Sequence, residues 1–269
     1  MSESRSINQD SSGNIRIKQG GIARTLALES QFKTPRVRVF WFKNMTTNIY
    51  QTTYKKVFFD CDSTLTAIEG VDWLAEHKGV GNIVKQLTQE AMNGHLPFES
   101  ILKQRLDIIK PTLDDLLKLG QKYIQNCLPD AKKSISLLHQ QQIEVYIITG
   151  GYRPAVEILA RWLGIDTKHV FAIDLNFNSK GIYIGVDTQN PLTQNGGKGK
   201  IIKKLTQNSR SMLIGDGATD LEAKDAVDIF IGFGGIVCRP LVREQADIYI
   251  NIASLMPIVA LTKLPNFIC

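Results

Sequence analysis

The stretch Val57-Phe58-Phe59-Asp60-Cys61-Asp62-Ser63-Thr64 runs an apolar segment into two carboxylates and then into hydroxyls. Paired charges at a buried strand end are costly unless something compensates them. Two residues apart in extended chain, Asp60 and Asp62 face one crevice while Cys61 points away. Three later segments supply matching chemistry: Thr149 in "IITGGY" (147–152), Lys198 in "NGGKGK" (195–200), and Asp216 with Asp220 in "LIGDGATDLEA" (213–223). Brought together, the four aspartates would crowd like charge. Two such charges about 4 Å apart repel by roughly 4 kcal/mol at an effective dielectric of about 20. A divalent cation relieves that repulsion, and an all-oxygen ligand set favours Mg²⁺. Lys198, the Thr149 hydroxyl and the backbone amides around Ser63 to Leu65 add positive potential suited to a phosphoryl group. Phosphoryl transfer needs mainly in-line positioning and charge neutralisation. One carboxylate of the Asp-x-Asp pair can attack phosphorus, and the other can serve as acid and then base.

The elements that must position these residues are legible in the hydrophobic pattern. Short β-rich runs occur at 56–60, 143–149, 169–173, 211–216, 228–233 and 247–252, with helical stretches between most of them. Apolar strands alternating with helices predict an α/β fold, a doubly wound, mostly parallel sheet. Residues 173–186 read as a hairpin turning at Ser179-Lys180-Gly181. "PAVEILARWLG" (154–164) has Pro near its start and Gly at its end, as a helix should. Between Val71 and Lys133 the alternation gives way to amphipathic segments, which predicts a helical cap inserted after the first strand of the core. Such a cap can close over the strand ends, where open α/β sheets bind ligands. The expected organisation is an N-terminal extension over 1–53, a core of 54–70 and 134–269, and a cap of 71–133.

Composition narrows the function classes. Of 269 residues, 43% are hydrophobic and 22% charged, which is the make-up of a soluble globular protein. The net charge of +6 is concentrated in residues 1–53, whose balance is +5 against +1 for the remainder. The main domain therefore has no basic stripe for nucleic acid, and no apolar run is long enough for a membrane span. Neither nucleic acid nor membrane is an expected partner, and the oligomeric state, monomer or homodimer, stays open. The four cysteines form no CxxC pair and suggest a reducing compartment. The composition of 1–53 predicts a mobile or weakly ordered extension. It is also Arg- and Ser-rich like an organelle transit peptide, and Met45 is an alternative start. Cytoplasm is the first expected location, with plastid or mitochondrion the alternative if 1–53 is an address.

"DCDST", "ITGG", "GGKGK" and "GDGATD" resemble, in that order, the four motifs of the haloacid dehalogenase-like hydrolases. From about Tyr54 to near the C-terminus the chain is similar to the phosphoserine phosphatases of that superfamily. "DCDSTLTAIEGVDWLAE" and "AMNGHLPFESILKQRLDIIKP" resemble that family's substrate-recognition segments, and "FIGFGG" its late loop. The resemblance implies hydrolysis of O-phospho-L-serine, the last step of serine synthesis, through an aspartyl-phosphate. It implies Asp60 as nucleophile and Asp62 as acid/base. It implies Mg²⁺ on the Asp60 carboxylate, the Asp62 carbonyl and Asp216, with Asp220 behind the metal and Lys198. Ser63, Thr149, Gly150 and Lys198 would bind phosphate. Glu69 would meet the substrate ammonium and Arg105 its carboxylate, with Gly151 and Thr219 also lining the substrate. Thr149 departs from the serine usual in the family, Ile236 and Cys238 are less polar than the pattern, and no regulatory extension is recognisable in 1–53.

Other readings of the same residues exist. Asp220 suits a helix cap, Thr149 an ordinary strand end, and Glu69 and Arg105 a solvated helix face. Trp73 and Trp162 fit apolar packing, and Asp114-Asp115 suits a helix N-terminus. Another small phosphomonoester, or phosphoryl transfer to an alcohol, keeps the chemistry and changes the substrate. A phospho-accepting signalling receiver uses a similar pocket, but it has no need of a helical lid.

Overall fold

The computed structural model describes residues 54–92, 98–207 and 209–263, together with three strands lying between residues 7 and 26. Those strands, β1 (Ile7–Gln9), β2 (Ile15–Gln19) and β3 (Ile22–Leu26), form an antiparallel sheet in the order β1-β2-β3, within a unit spanning Met1–Val39. Composition predicts weak order here, whereas the spacing of Ile15 and Ile17 has the two-residue period of a strand. Five residues of that period are too short a window to outweigh a polar context. The alternative start at Met45 and the segment 93–97 of the expected cap lie outside the described residues.

The second unit is built on six strands: β4 (Lys56–Phe59), β5 (Glu144–Tyr152), β6 (Val170–Ile173), β9 (Ser211–Gly215), β10 (Ile229–Phe233) and β11 (Ile248–Ile250). They form one sheet in the order β11-β10-β9-β4-β5-β6, with every neighbouring pair parallel. The chain moves outward from β4 through β5 to β6, then returns to β9 on the other side of β4. That reversal opens a crevice at the carboxyl ends of β4 and β9. Val57, Phe58 and Phe59 are fully buried, as both faces of a covered parallel strand require. Burying each such side chain is worth about 1.5–3 kcal/mol.

Five helices lie between β4 and β5: α1 (Gly70–His77), α2 (Gly81–Met92), α3 (Phe98–Ile109), α4 (Leu113–Gln125) and α5 (Ala131–Gln140). The amphipathic pattern between Val71 and Lys133 foreshadows the first four; α5 runs mostly beyond it. α4 begins with a capping box in which Thr112 and Asp115 satisfy each other's backbone amides. Its Gly120 lets it approach α6 (Arg153–Leu163), since an added Cβ would lie 2.7 Å from Ile158 Cδ1. α6 has Pro near its N-terminus and ends on Gly164 in the left-handed region, φ 82°. The hairpin is β7 (Leu175–Phe177) with β8 (Tyr183–Val186). α7 (Gly197–Thr206), α8 (Ala218–Leu221), α9 (Pro240–Gln245) and α10 (Met256–Leu261) complete the unit.

Two expectations are corrected here. β5 does not stop at Thr149 but runs on to Tyr152, with a shift of register against β6 between Ile148 and Tyr152. The two glycines interrupt the apolar run without ending the strand, because an irregularity absorbs the break. Trp162 is 36% exposed rather than packed inside, with the Lys132 ammonium over its ring at 4.7 Å. Trp73 stacks on His77.

Candidate active site

Asp60 follows directly on β4, and its N–H donates to Ile214 O of β9 at 2.9 Å. Asp216 follows directly on β9, so the ladder sets both carboxylates on the same rim of the sheet. Thr149 lies two residues beyond Ile147, which pairs with Phe59. Lys198 arrives on the first turn of α7. Its approach depends on glycine: a Cβ on Gly197 would lie 1.9 Å from Pro191 O, and the N-cap Gly196 adopts φ 69°. The Lys198 ammonium, buried with its surroundings, lies 2.9 Å from Asp60 Oδ1 and 2.6 Å from Asp220 Oδ1. Burial opposes its charge, but Asp220 and Asp60 outweigh that and raise its pKa.

Asp220 is fully buried and does two jobs. Its Oδ2 accepts the Gly217 N–H at 3.1 Å, capping α8, while Oδ1 takes Lys198. Gly215 makes room for it, since an added Cβ would lie 2.2 Å from the Asp220 carboxyl carbon. Burial drives the proton affinity of Asp220 up, and the lysine beside it holds it back. Burial and the neighbouring Asp60 raise Asp216 to about 6, against the pull of Arg239. Carboxylate oxygens of Asp60, Asp216 and Asp220 all lie within 4.8 Å of one another. With Asp62 and Glu69 close by, five carboxylates face two cations, Lys198 and Arg239. An oxygen-only donor set with excess negative charge fits a divalent cation.

Asp62 is only partly exposed, and its Oδ1 accepts the Gly70 N–H at 2.9 Å. Burial first, then Glu69 and Asp60, push its pKa well above the usual carboxylate range. That is the direction an acid catalyst needs near neutral pH. Glu69 Oε1 accepts from Ser63 Oγ at 2.7 Å and from Arg239 Nη2 at 3.2 Å. Arg105, on α3, has Asp72 and Tyr152 as its charged and polar neighbours, and its buried Nε has no hydrogen-bond partner. Gly151 is buried with its N–H on Thr149 Oγ1 at 3.0 Å; Gly150 is exposed, and Thr219 sits part-exposed beside Gly217.

The sequence misplaces one set of donors. The amides of Thr64, Leu65 and Thr66 all donate to Cys61 O, and the Ser63 amide to Ile68 O. Ser63, at φ 51°, closes this turn, and its hydroxyl goes to Glu69. The turn consumes donors expected to face a phosphoryl group.

Two residues escaped sequence reasoning. Arg239 donates from Nε to Asp216 Oδ2 at 2.9 Å and from Nη2 to Glu69, tying the β9 rim to the start of α1. It lies six residues past the end of β10, so the strand-end rule that singles out Asp216 does not reach it. Tyr123 is buried on α4 with its hydroxyl beside Asp62, and helical periodicity gives no hint of that. A separate groove of about 430 Å³ lies among Arg153, Asp174, Asn190 and Lys204. It contains none of the site residues, and Arg153 and Asn190 are both spent on Asp174.

The model of the haloacid dehalogenase-like hydrolases matches residues 54–227. The phosphoserine phosphatase of Mus musculus is 42% identical over 198 residues, covering 72% of this chain and 88% of its own length. This chain belongs to the haloacid dehalogenase-like hydrolases, in their phosphoserine phosphatase branch. A second member, the chloroplastic phosphoserine phosphatase of Arabidopsis thaliana, is 37% identical, covering 71% of this chain and 66% of its own. A solved structure described as a phospho-aspartyl intermediate analogue of phosphoserine phosphatase superposes with TM-score 0.66 at 28% identity. It covers 78% of this hydrolase and 99% of that chain. Among the described residues, no helix is long and apolar enough to cross a membrane.

Proposed function

We propose that this hydrolase converts O-phospho-L-serine to L-serine and phosphate with Mg²⁺ as its divalent cation. The observation that carries the reading is the ion pair of Asp60 with Lys198 inside a cluster of carboxylates at the strand ends, to which Arg239 ties Glu69. Asp60 attacks phosphorus, and the bond from phosphorus to the serine oxygen breaks. Asp62 gives its proton to that leaving oxygen. Asp62 then takes a proton from water as the water oxygen attacks the aspartyl-phosphate and releases Asp60. Lys198 and the Thr149 hydroxyl offset charge on the phosphoryl group throughout. Bound Mg²⁺, on Asp60, Asp216 and the Asp62 carbonyl, would neutralise phosphoryl oxygens. Asp220 supports from behind, which agrees with both its oxygens being engaged by Lys198 and Gly217.

Glu69 and Arg105 supply the two ionic handles of an amino-acid substrate. The unpartnered Nε of Arg105 supports its role as a carboxylate receptor. Replacing Arg105 with Ala is expected to raise KM for phosphoserine by at least about tenfold while sparing p-nitrophenyl phosphate, which has no carboxylate. Equal losses on both substrates would remove Arg105 from substrate recognition. The segments 54–70 and 134–269 are assigned as catalytic core, 71–133 as cap, and 1–53 as an appendage. An organelle address is one reading of that appendage, supported by the chloroplastic relative. Import of a reporter fused to residues 1–53 tests it.

A further inference from the structure

Tyr123 lies outside every motif that marks the site, yet its hydroxyl ends among the site's residues. The side chain is fully buried and Oη has no hydrogen-bond partner. Such orphaned buried donors are uncommon, because desolvation is lost without return. Two glycines fix where this hydroxyl points. A Cβ on Gly70 would lie 2.1 Å from Oη, and one on Gly151 would lie 3.4 Å from Oη and from Thr149 Oγ1 alike. The phenol thus fills the gap between the residue whose amide holds Asp62 and the residue beside Thr149. It stands within reach of the Asp62 carboxyl at a geometry that does not close the bond. Burial and then the Asp62 charge raise its own pKa, so it stays a phenol that can donate and not a phenolate.

Lys198 holds Asp60, and Arg239 holds Asp216. The Gly70 amide holds Asp62 at Oδ1. A carboxyl group gripped at one oxygen can still rotate about its bond to Cβ. A second donor fixes its plane, and with it the direction in which its proton leaves. Catalytic hydrogen bonds often tighten only as substrate binds.

We propose that Tyr123 is a positioning residue for Asp62, its hydroxyl donating to that carboxyl alongside the Gly70 N–H and aiming the proton at the leaving-group oxygen. This rests on the assignment of Asp62 as acid/base. Tyr123 touches neither phosphorus nor the leaving group. Its effect is confined to the steps in which Asp62 moves a proton.

Tyr123→Phe removes the hydroxyl alone and keeps the buried ring. The test uses the full chain with excess Mg²⁺ and two substrates: phosphoserine, whose alkoxide leaving group needs a proton, and p-nitrophenyl phosphate, whose leaving group does not. The expected result is a fall of about tenfold in kcat on phosphoserine, with KM changed by less than about twofold. The rapid first turnover of p-nitrophenyl phosphate should keep its wild-type rate. Asp62→Asn is assayed in parallel and should lose at least about a hundredfold on phosphoserine. If Tyr123→Phe keeps wild-type kcat while Asp62→Asn is inactive, Tyr123 is mere packing and this inference falls alone. Equal slowing of the first turnover of both substrates by Tyr123→Phe would also overturn it, as a general structural effect, because only the hydrolysis of the aspartyl-phosphate, which follows that turnover, needs Asp62 with either substrate. Wild-type turnover by Asp62→Asn would overturn the assignment of Asp62 and this inference with it.

Discussion

Replacing Lys198 with Met keeps an unbranched chain of similar length and removes one buried charge. The ammonium now sits 2.9 Å from Asp60 and 2.6 Å from Asp220, which are 8% and 0% exposed. Without it, two carboxylates face each other with no cation between them. The cheapest response is for one of them to fold protonated. Holding an aspartic acid neutral at pH 7, against an unfolded pKa of about 3.9, costs about 4 kcal/mol. This agrees with the roughly 3–5 kcal/mol seen when one partner of a buried pair is removed. The sign follows from the raised folded-state pKa. The deficit is absent below about pH 4 and grows by about 1.4 kcal/mol per pH unit above it, reaching about 1.5 kcal/mol at pH 5. Urea unfolding of both proteins in EDTA at pH 5, 6 and 7, with equal m-values, measures it. A deficit that does not change with pH, or one below about 1 kcal/mol at pH 7, would refute the reasoning. Turnover should also fall by at least about a hundredfold.

Two other substitutions probe the frame. Burial would raise the pKa of Asp115, but the Thr112 amide and hydroxyl, both at 2.8 Å, and Lys78 at 3.1 Å lower it to about 2. Its contribution is therefore present above about pH 4 and lost as pH falls through about 2. Asp115→Asn should cost about 1–2 kcal/mol at pH 7, with the gap between urea midpoints narrowing from pH 6 to pH 3. Gly197→Ala would press a Cβ into Pro191 O at 1.9 Å and Pro191 C at 2.5 Å. Backbone cannot rotate away, so about 2–3 kcal/mol of stability should go. Phosphate release should fall with it, because Lys198 is the next residue; an active, stable Gly197→Ala would show that the loop tolerates displacement.

The sheet was legible because its strands are covered on both faces and read as continuous apolar runs, each ending near a charged or glycine-rich turn. The same property carried the site, since Asp60 and Asp216 are the first residues after adjacent strands. What escaped was what periodicity does not encode. Tyr123 is one buried position on a helix, and its meeting with Asp62 depends on two distant glycines leaving space. Arg239 follows its strand by six residues and was passed over among Ile236, Val237 and Cys238. The amides of residues 63–65 looked available because a sequence does not show that Ser63 N–H donates to Ile68 O and those of Thr64 and Leu65 to Cys61 O. Asp220 satisfies both readings open to it, capping a helix and pairing with Lys198.

The central claim is that Asp60 is the nucleophile of a Mg²⁺-dependent phosphoserine hydrolase. Phosphate release from O-phospho-L-serine by wild type and Asp60→Asn, each with and without Mg²⁺, tests it most directly. The account predicts turnover by wild type only with the metal, a clear preference for phosphoserine over other phosphomonoesters, and none by a folded Asp60→Asn. Undiminished turnover by Asp60→Asn, or a folded wild type silent on phosphoserine, would contradict it.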